Sequence, residues 1–142
     1  MIPNLRNWKM ELEEELISLL AYWMKETPDT HYGGFIGRIG NNGEKFYEAE
    51  KGAVLHARIL YTFSLAYRVT GNEQYKLFAD RAYNFINNHF IDKQFGGVYW
   101  SVFPSGLPSK KHKQAYAQAF ALYGLTEYYK ITGDSYHLKQ AV

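Results

Sequence analysis

Arg58 stands midway along a segment that is otherwise mostly apolar, in which Ala53, Val54, Leu55, Ala57, Ile59, Leu60, Tyr61, Phe63, Leu65 and Ala66 surround the helix axis. A guanidinium in that setting requires a partner, because an unpaired buried charge is costly. Two partners fit. One is a carboxylate, giving a buried ion pair. The other is a cavity, in which the planar fork of donors holds a polar or anionic ligand oxygen. Tyr116 lies at the matching end of a second apolar segment and fits either a packed ring with a bonded hydroxyl or a ligand contact. Gln118, two residues on, points to a different side of that helix.

The remaining polar candidates are weaker. The five histidines are His31, His56, His89, His112 and His137. No two have the spacing of a helical metal-binding pair, and His56 diverges from Arg58 on their shared helix. His31, in a glycine-rich loop, is the one placed for a cavity rim. Trp100 follows Gly96-Gly97 and suits a sugar-stacking platform or loop packing equally. Lys51 and Lys113 begin the two apolar segments and read as surface pairs between loop and helix. Gly37, Gly40, Gly43 and Lys45 fail the phosphate-loop spacing, and no Ser or Thr follows the Lys. Nucleophile elbow, dinucleotide fingerprint and zinc pattern are absent from the sequence, so neither metal nor nucleotide cofactor is expected.

Helices must position these residues. From Leu5 to about Lys25, Trp8, Leu12, Leu16, Leu19, Leu20 and Trp23 recur at helical steps, and Pro28 ends the pattern. Asn42-Gly43 between Phe35-Ile36 and Phe46-Tyr47 predicts a small hairpin. The segments from about Lys51 to Val69 and Lys113 to Ile131 are apolar on all sides, which predicts burial on all sides. Thr70-Gly71-Asn72 and Thr132-Gly133-Asp134 read as a left-handed stop followed by a new N-cap. Asn72 to about Phe90 is an amphipathic helix, and Val98-Tyr99-Trp100 a short strand.

These units repeat. Asp29, Gly33 and Gly34 return 63 positions later as Asp92, Gly96 and Gly97. Lys51, Ala57, Leu60 and Tyr61 return 62 positions later as Lys113, Ala119, Leu122 and Tyr123. Buried helices inside and amphipathic helices outside, stacked side by side and closed into a ring, form a double-layered α/α barrel. Its glycine-rich loops all precede inner helices and so gather at the rim of one cavity. The chain holds about two and a half such hairpins and stops at Ala141-Val142 inside a helix. That reads as the N-terminal portion of a longer barrel, spanning residues 1–142. The alternative is a small open helical domain. An open barrel edge would expose apolar surface, so the piece is expected to associate through it.

Composition narrows the function. A chain of 142 residues is one domain by length, with 16 Lys and Arg against 14 Asp and Glu. That balance excludes nucleic-acid binding driven by bulk charge. No apolar run reaches the roughly 18 residues of a membrane span. Met1-Ile2-Pro3-Asn4 lacks a signal-peptide layout, and cysteine is absent, which together suit the cytoplasm. Aromatic residues make up 18% of the chain, which serves packing and carbohydrate stacking alike.

The stretch Lys51-Gly-Ala-Val-Leu-His-Ala-Arg-Ile-Leu-Tyr-Thr-Phe-Ser-Leu-Ala-Tyr67 resembles the N-acylglucosamine 2-epimerase superfamily, with its cellobiose 2-epimerase branch the closer likeness. Gly33-Gly34-Phe35 and Tyr116-Ala-Gln-Ala-Phe120 fit the same family. The resemblance implies an all-α (α/α)6 barrel and reversible inversion at C2 of a reducing-end sugar, without a nucleotide cofactor. The family's reaction opens the sugar ring, removes the C2 proton and passes through an enediolate. The resemblance places the oxygen-stabilising arginine at Arg58 and a substrate-holding tyrosine at Tyr116. The acid–base histidines lie past residue 142, so this piece alone is expected to be inactive. The implied partner is a small sugar, with a β-1,4-linked disaccharide such as cellobiose first. N-acylglucosamine 2-epimerase and mannose isomerase are alternatives within the family. A non-catalytic helical module that binds carbohydrate or protein is the alternative outside it.

Overall fold

The computed structural model describes residues 5–139. The opening four residues, and the Ala141-Val142 end on which the interrupted helix was read, lie outside it. Helix α1 (Leu5–Glu26) ends where the Thr27 hydroxyl donates to the Trp23 carbonyl at 2.6 Å and Pro28 withholds its amide. A loop leads to a two-residue strand β1 (Lys51–Gly52) and straight into α2 (Ala53–Thr70). Gly71 closes α2 in the left-handed conformation at φ 70°. Asn72 then caps α3 (Glu73–Phe85) by accepting from the Gln74 amide at 3.0 Å. A π-turn (Ile86–Phe90) widens the end of α3, which departs from the α-helix expected as far as Phe90. After a second loop, containing strands β2 (Ser101–Val102) and β3 (Pro108–Lys110), come α4 (Ala115–Thr132) and α5 (Ser135–Lys139).

Two inner helices, α2 and α4, pack against each other, and α3 covers α2 from outside. The α2–α4 contact is close because Gly124 faces the α2 backbone. A β-carbon there would lie 2.7 Å from the Ala57 carbonyl oxygen. Ala57, Leu60, Phe63, Ala121 and Leu125 are all buried on these two helices. Tyr83 on α3 stacks on Tyr128 of α4 at 4.6 Å.

The two glycine loops share one construction. Asp29 Oδ1 accepts from the amides of His31 and Tyr32 at 2.8 and 2.9 Å, and Asp92 Oδ1 accepts from those of Gln94 and Phe95 at 3.0 and 3.1 Å. Each turn continues through two residues of positive φ, Gly33-Gly34 and Gly96-Gly97, which a side chain would strain. The loops are then joined. Strands β1, β2 and β3 form one antiparallel sheet, with Lys51 opposite Val102 and Gly52 opposite Ser101. Glu50 accepts hydrogen bonds from the hydroxyls of Ser101 and Ser109 at 2.9 and 2.6 Å.

Several expectations need correction. The strand expected at Val98-Tyr99-Trp100 falls at Ser101–Val102, and Val98 only bridges to Ile91. The hairpin around Gly43 closes at Ile39 and Lys45, while Phe35 bridges back to Pro28. The inner helices are not buried on all sides. Arg58 and Thr62 on α2, and Tyr116, Ala119, Leu122 and Tyr123 on α4, face outward along one open side. The inner helices are covered by each other, by the outer helices and by the loops, and no described element lies over that remaining side. Helix α1 buries only Leu20, with Trp23 and Met24 half-covered against the core, while Trp8, Leu12, Leu16 and Leu19 are exposed. Among the described residues, no helix is long and apolar enough to cross a membrane.

Candidate functional site: an aromatic cleft between the inner helices

The open side of α2 and α4 forms a cleft of about 730 Å³ lined by Arg58, Tyr61, Thr62, Tyr116, Ala119, Phe120 and Tyr123. The α4 residues recur at i, i+3, i+4 and i+7, one continuous stripe of that helix. Arg58 extends into the cleft and, among the described residues, forms no ion pair. Its guanidinium carbon lies 6.0 Å from the centre of the Phe120 ring. Arg58 therefore faces the open side of the inner helices, with no carboxylate partner among the described residues. Phe120 meets Tyr116 edge to face at 4.9 Å and Tyr123 at 6.3 Å. Tyr61 and Tyr123 stack at 3.7 Å with ring planes 15° apart. Hydrogen bonding with Tyr61 and burial push the Tyr123 phenol up to about 12, so it remains a neutral donor at working pH.

The cleft thus combines a cation, three phenols and aromatic faces. Such a surface suits a polyhydroxylated ligand, whose C–H faces stack on rings and whose oxygens accept from the guanidinium. His31 and Trp100 do not line it. His31 is an exposed loop residue set edge-on to Tyr47 at 4.3 Å. Trp100 is half-buried against the core and stacks on His112 at 5.9 Å. Among the described residues, no three His, Asp or Glu side chains gather as a metal would require.

The loops above the cleft are held from beneath. Lys51 is not a surface residue: it is fully buried, with Nζ 2.7 Å from Asp29 Oδ2 and a second bond to the Gly33 carbonyl. Burial pulls the Lys51 ammonium below its ordinary range, against the pull of Asp29. Burial also opposes the Asp29 carboxylate, but Lys51 and the backbone amides outweigh it and hold that carboxyl low. Arg81 adds bonds to the carbonyls of Gly34 and Asp29 at 2.8 and 2.6 Å. In the second repeat Lys113 pairs with Asp92 at 2.8 Å and is 30% exposed, nearer to the surface pair expected. Hydrogen bonding from Lys113 brings the Asp92 carboxyl down to about 2. Burial pulls His56 down to about 3, so the ring is neutral. Its Nε2 accepts from the Phe35 amide at 3.3 Å, which places the ring proton on Nδ1, 3.0 Å from the Gly52 carbonyl.

Sequence reasoning named Arg58 and Tyr116 but passed over Tyr61, Thr62, Phe120 and Tyr123 as ligand candidates. The signal for them was present: a helical stripe through Tyr116, and the recurrence of Tyr61 as Tyr123. The repeated Asp and Lys positions likewise marked the ion pairs beneath both loops.

Inner and outer helices joined by Gly-Gly loops, with the inner pair lining a cleft, make this chain part of an α/α barrel. The chain belongs to the N-acylglucosamine 2-epimerase (GlcNAc 2-epimerase) family, which it matches over residues 34–139. It is 48% identical to the cellobiose 2-epimerase of Bacteroides fragilis over 135 residues, covering 94% of this chain and 34% of that protein. The crystal structure of a sugar epimerase from a ruminal bacterium superimposes with a TM-score of 0.88 at 38% identity, covering 93% of this chain and 34% of that one. The cellobiose 2-epimerase of Bacillus thermoamylovorans gives 0.88 at 36% identity, covering 95% of this chain and 35% of that one. The chain therefore spans about a third of the length of the relatives it matches, and its hairpins are part of an (α/α)6 barrel.

Proposed function

We propose that this chain supplies one wall of the active site of a sugar 2-epimerase that acts on a reducing-end glucose unit, with cellobiose as the first substrate. The observation that carries this reading is Arg58: a guanidinium presented to an aromatic cleft with no counter-carboxylate among the described residues. Proton removal at C2 of the open-chain sugar sends charge to the neighbouring carbonyl oxygen. A donor fork aimed at that oxygen stabilises the enediolate more than the ground state, which is the condition for faster turnover. Tyr116, 59% exposed on the same cleft, holds a substrate hydroxyl. Among the described residues no histidine lines the cleft, and the buried His56 is neutral and fully engaged. In this reading the bases that exchange the C2 proton come from the rest of the barrel, and the chain alone is inactive.

The test uses a chimaera in which this chain replaces the matching third of the Bacteroides fragilis enzyme. Cellobiose is incubated in D2O and the reducing-end C2 proton is followed by NMR. Loss of that signal with the chimaera, and none with the 142-residue chain, is the expected result. A folded chimaera that exchanges none of cellobiose, mannose and N-acylglucosamine overturns the epimerase reading. Exchange of only the latter two overturns the choice of substrate. Turnover by the isolated chain overturns its inactivity.

A further inference from the structure

We infer that Phe120 is a positioning residue whose ring presents the Arg58 guanidinium to ligand. Three observations carry this. First, Arg58 and Phe120 occupy the same register position in successive repeats, 62 residues apart, like Lys51 and Lys113 or Tyr61 and Tyr123. Equivalent positions on adjacent inner helices lie at the same height. Tyr61 therefore meets Tyr123 ring on ring, and Arg58 meets Phe120 cation on ring. Second, the other arginines on α2 and α3 commit their donors elsewhere. Arg68 Nε bonds Glu127 at 2.6 Å, and Arg81 bonds two backbone carbonyls. Among the described residues Arg58 has no such bond. Third, Phe120 is itself fixed between Tyr116 and Tyr123, so its ring is a stable surface.

The chemistry explains why a ring and not a carboxylate holds this arginine. A carboxylate would orient the guanidinium by occupying its N–H donors and cancelling its charge. A phenyl face attracts the cation through its quadrupole and leaves the N–H edge open. At 6.0 Å the contact sits at the outer limit of such attraction, which suits a side chain that must still adjust to ligand. The result is a cation oriented before substrate arrives, with its donors unspent.

The test reads the orientation directly on this chain. The Arg58 δ-methylene protons, assigned by their disappearance in Arg58→Lys, are expected slightly upfield of ordinary arginine values, because the guanidinium carbon next to them in the side chain sits 6.0 Å from the centre of the Phe120 ring. Phe120→Leu returns them to ordinary values while the amide spectrum elsewhere is retained, and Phe120→Tyr keeps them upfield. In the chimaera, Phe120→Leu lowers kcat by about threefold to tenfold with a smaller change in KM, and Phe120→Tyr restores most of it. Arg58 protons that do not move in Phe120→Leu overturn the proposal, as does an unchanged kcat in a folded chimaera. The kinetic arm rests on the epimerase reading and the spectroscopic arm does not. An inactive wild-type chimaera therefore sinks the former reading and leaves the resonances to decide the latter.

Discussion

His56 and Gln118 perform the same task from equivalent positions of the two repeats. His56 Nε2 accepts from the Phe35 amide at 3.3 Å, and Gln118 Oε1 accepts from the Val98 amide at 2.8 Å. Each receives the first amide after a Gly-Gly turn and fixes that loop to the inner helix below it. Gln118 also donates to the Val98 carbonyl at 2.8 Å. An imidazole and an amide are thus interchangeable answers to one geometric demand, but only the imidazole titrates near neutral pH.

That difference predicts an acid limb of stability. His56 has a folded pKa of about 3 against an ordinary 6.5, so the unfolded chain binds the proton more readily. Stability is therefore lost as pH falls from about 6.5 toward 3, with a slope of up to about 1.4 kcal/mol per pH unit. His56→Gln copies the second repeat and should flatten this limb. The variant should be less stable at neutral pH, because it gives up the stack on Phe85 at 4.8 Å. Thermal melts of both proteins between pH 4 and 7 check this; parallel curves would refute it.

The two ion pairs should differ in cost. Lys51→Met leaves the buried Asp29 carboxylate without its cation, a loss of about 3–5 kcal/mol. Lys113→Met breaks a pair that is partly open to water and should cost about 1 kcal/mol or less. Urea unfolding of the two variants measures the difference directly.

Arg58→Ala should leave the fold intact, because the side chain is exposed and bonded to no carboxylate among the described residues. In the chimaera it should reduce kcat by about a hundredfold or more, the usual effect of removing a donor aimed at a developing oxyanion. A large drop in melting temperature with little change in turnover would instead make Arg58 a structural residue and remove it from the oxyanion-stabilising role.

Gly124→Ala should force α2 and α4 apart, since the new methyl would meet the Ala57 carbonyl at 2.7 Å. Neither backbone can yield cheaply, and the expected cost is about 1–3 kcal/mol. The Tyr61–Tyr123 stack spans the same two helices, so near-ultraviolet circular dichroism should change along with the melting temperature.

Helix boundaries were legible because their punctuation is chemical. Gly71, Asn72 and Gly133 hold the conformations that their residue types favour. Arg58 was conspicuous because a charge among apolar neighbours has few destinations. Burial was less legible. An apolar helix surface shows that something is to be covered, not which elements cover it, and so the open side of α2 and α4 could not be read from periodicity. The depth of Lys51 was hidden for a related reason: a lysine is ordinarily placed in water, and only Asp29, 22 positions earlier, makes its burial tolerable. The aromatic lining of the cleft escaped because Tyr61, Phe120 and Tyr123 look like core residues until the missing cover is known.

The sheet that joins the two loops also decides where this protein can change length. Residues from Gly96 to Val102 are tied to α4 through Gln118 and to the first loop through β1. An insertion there would shift the register of both. The turn from Phe103 to Leu107 is closed by its own Phe103–Leu107 bond at 2.8 Å, and both of those side chains are exposed. Between them Pro104 and Gly106 are buried, and a β-carbon on Gly106 would collide with the His89 ring, so exchange at that turn is confined to the exposed Phe103, Ser105 and Leu107. Chain length is therefore least free where the two loops are tied together, and side-chain identity is most free at the three exposed positions of the turn.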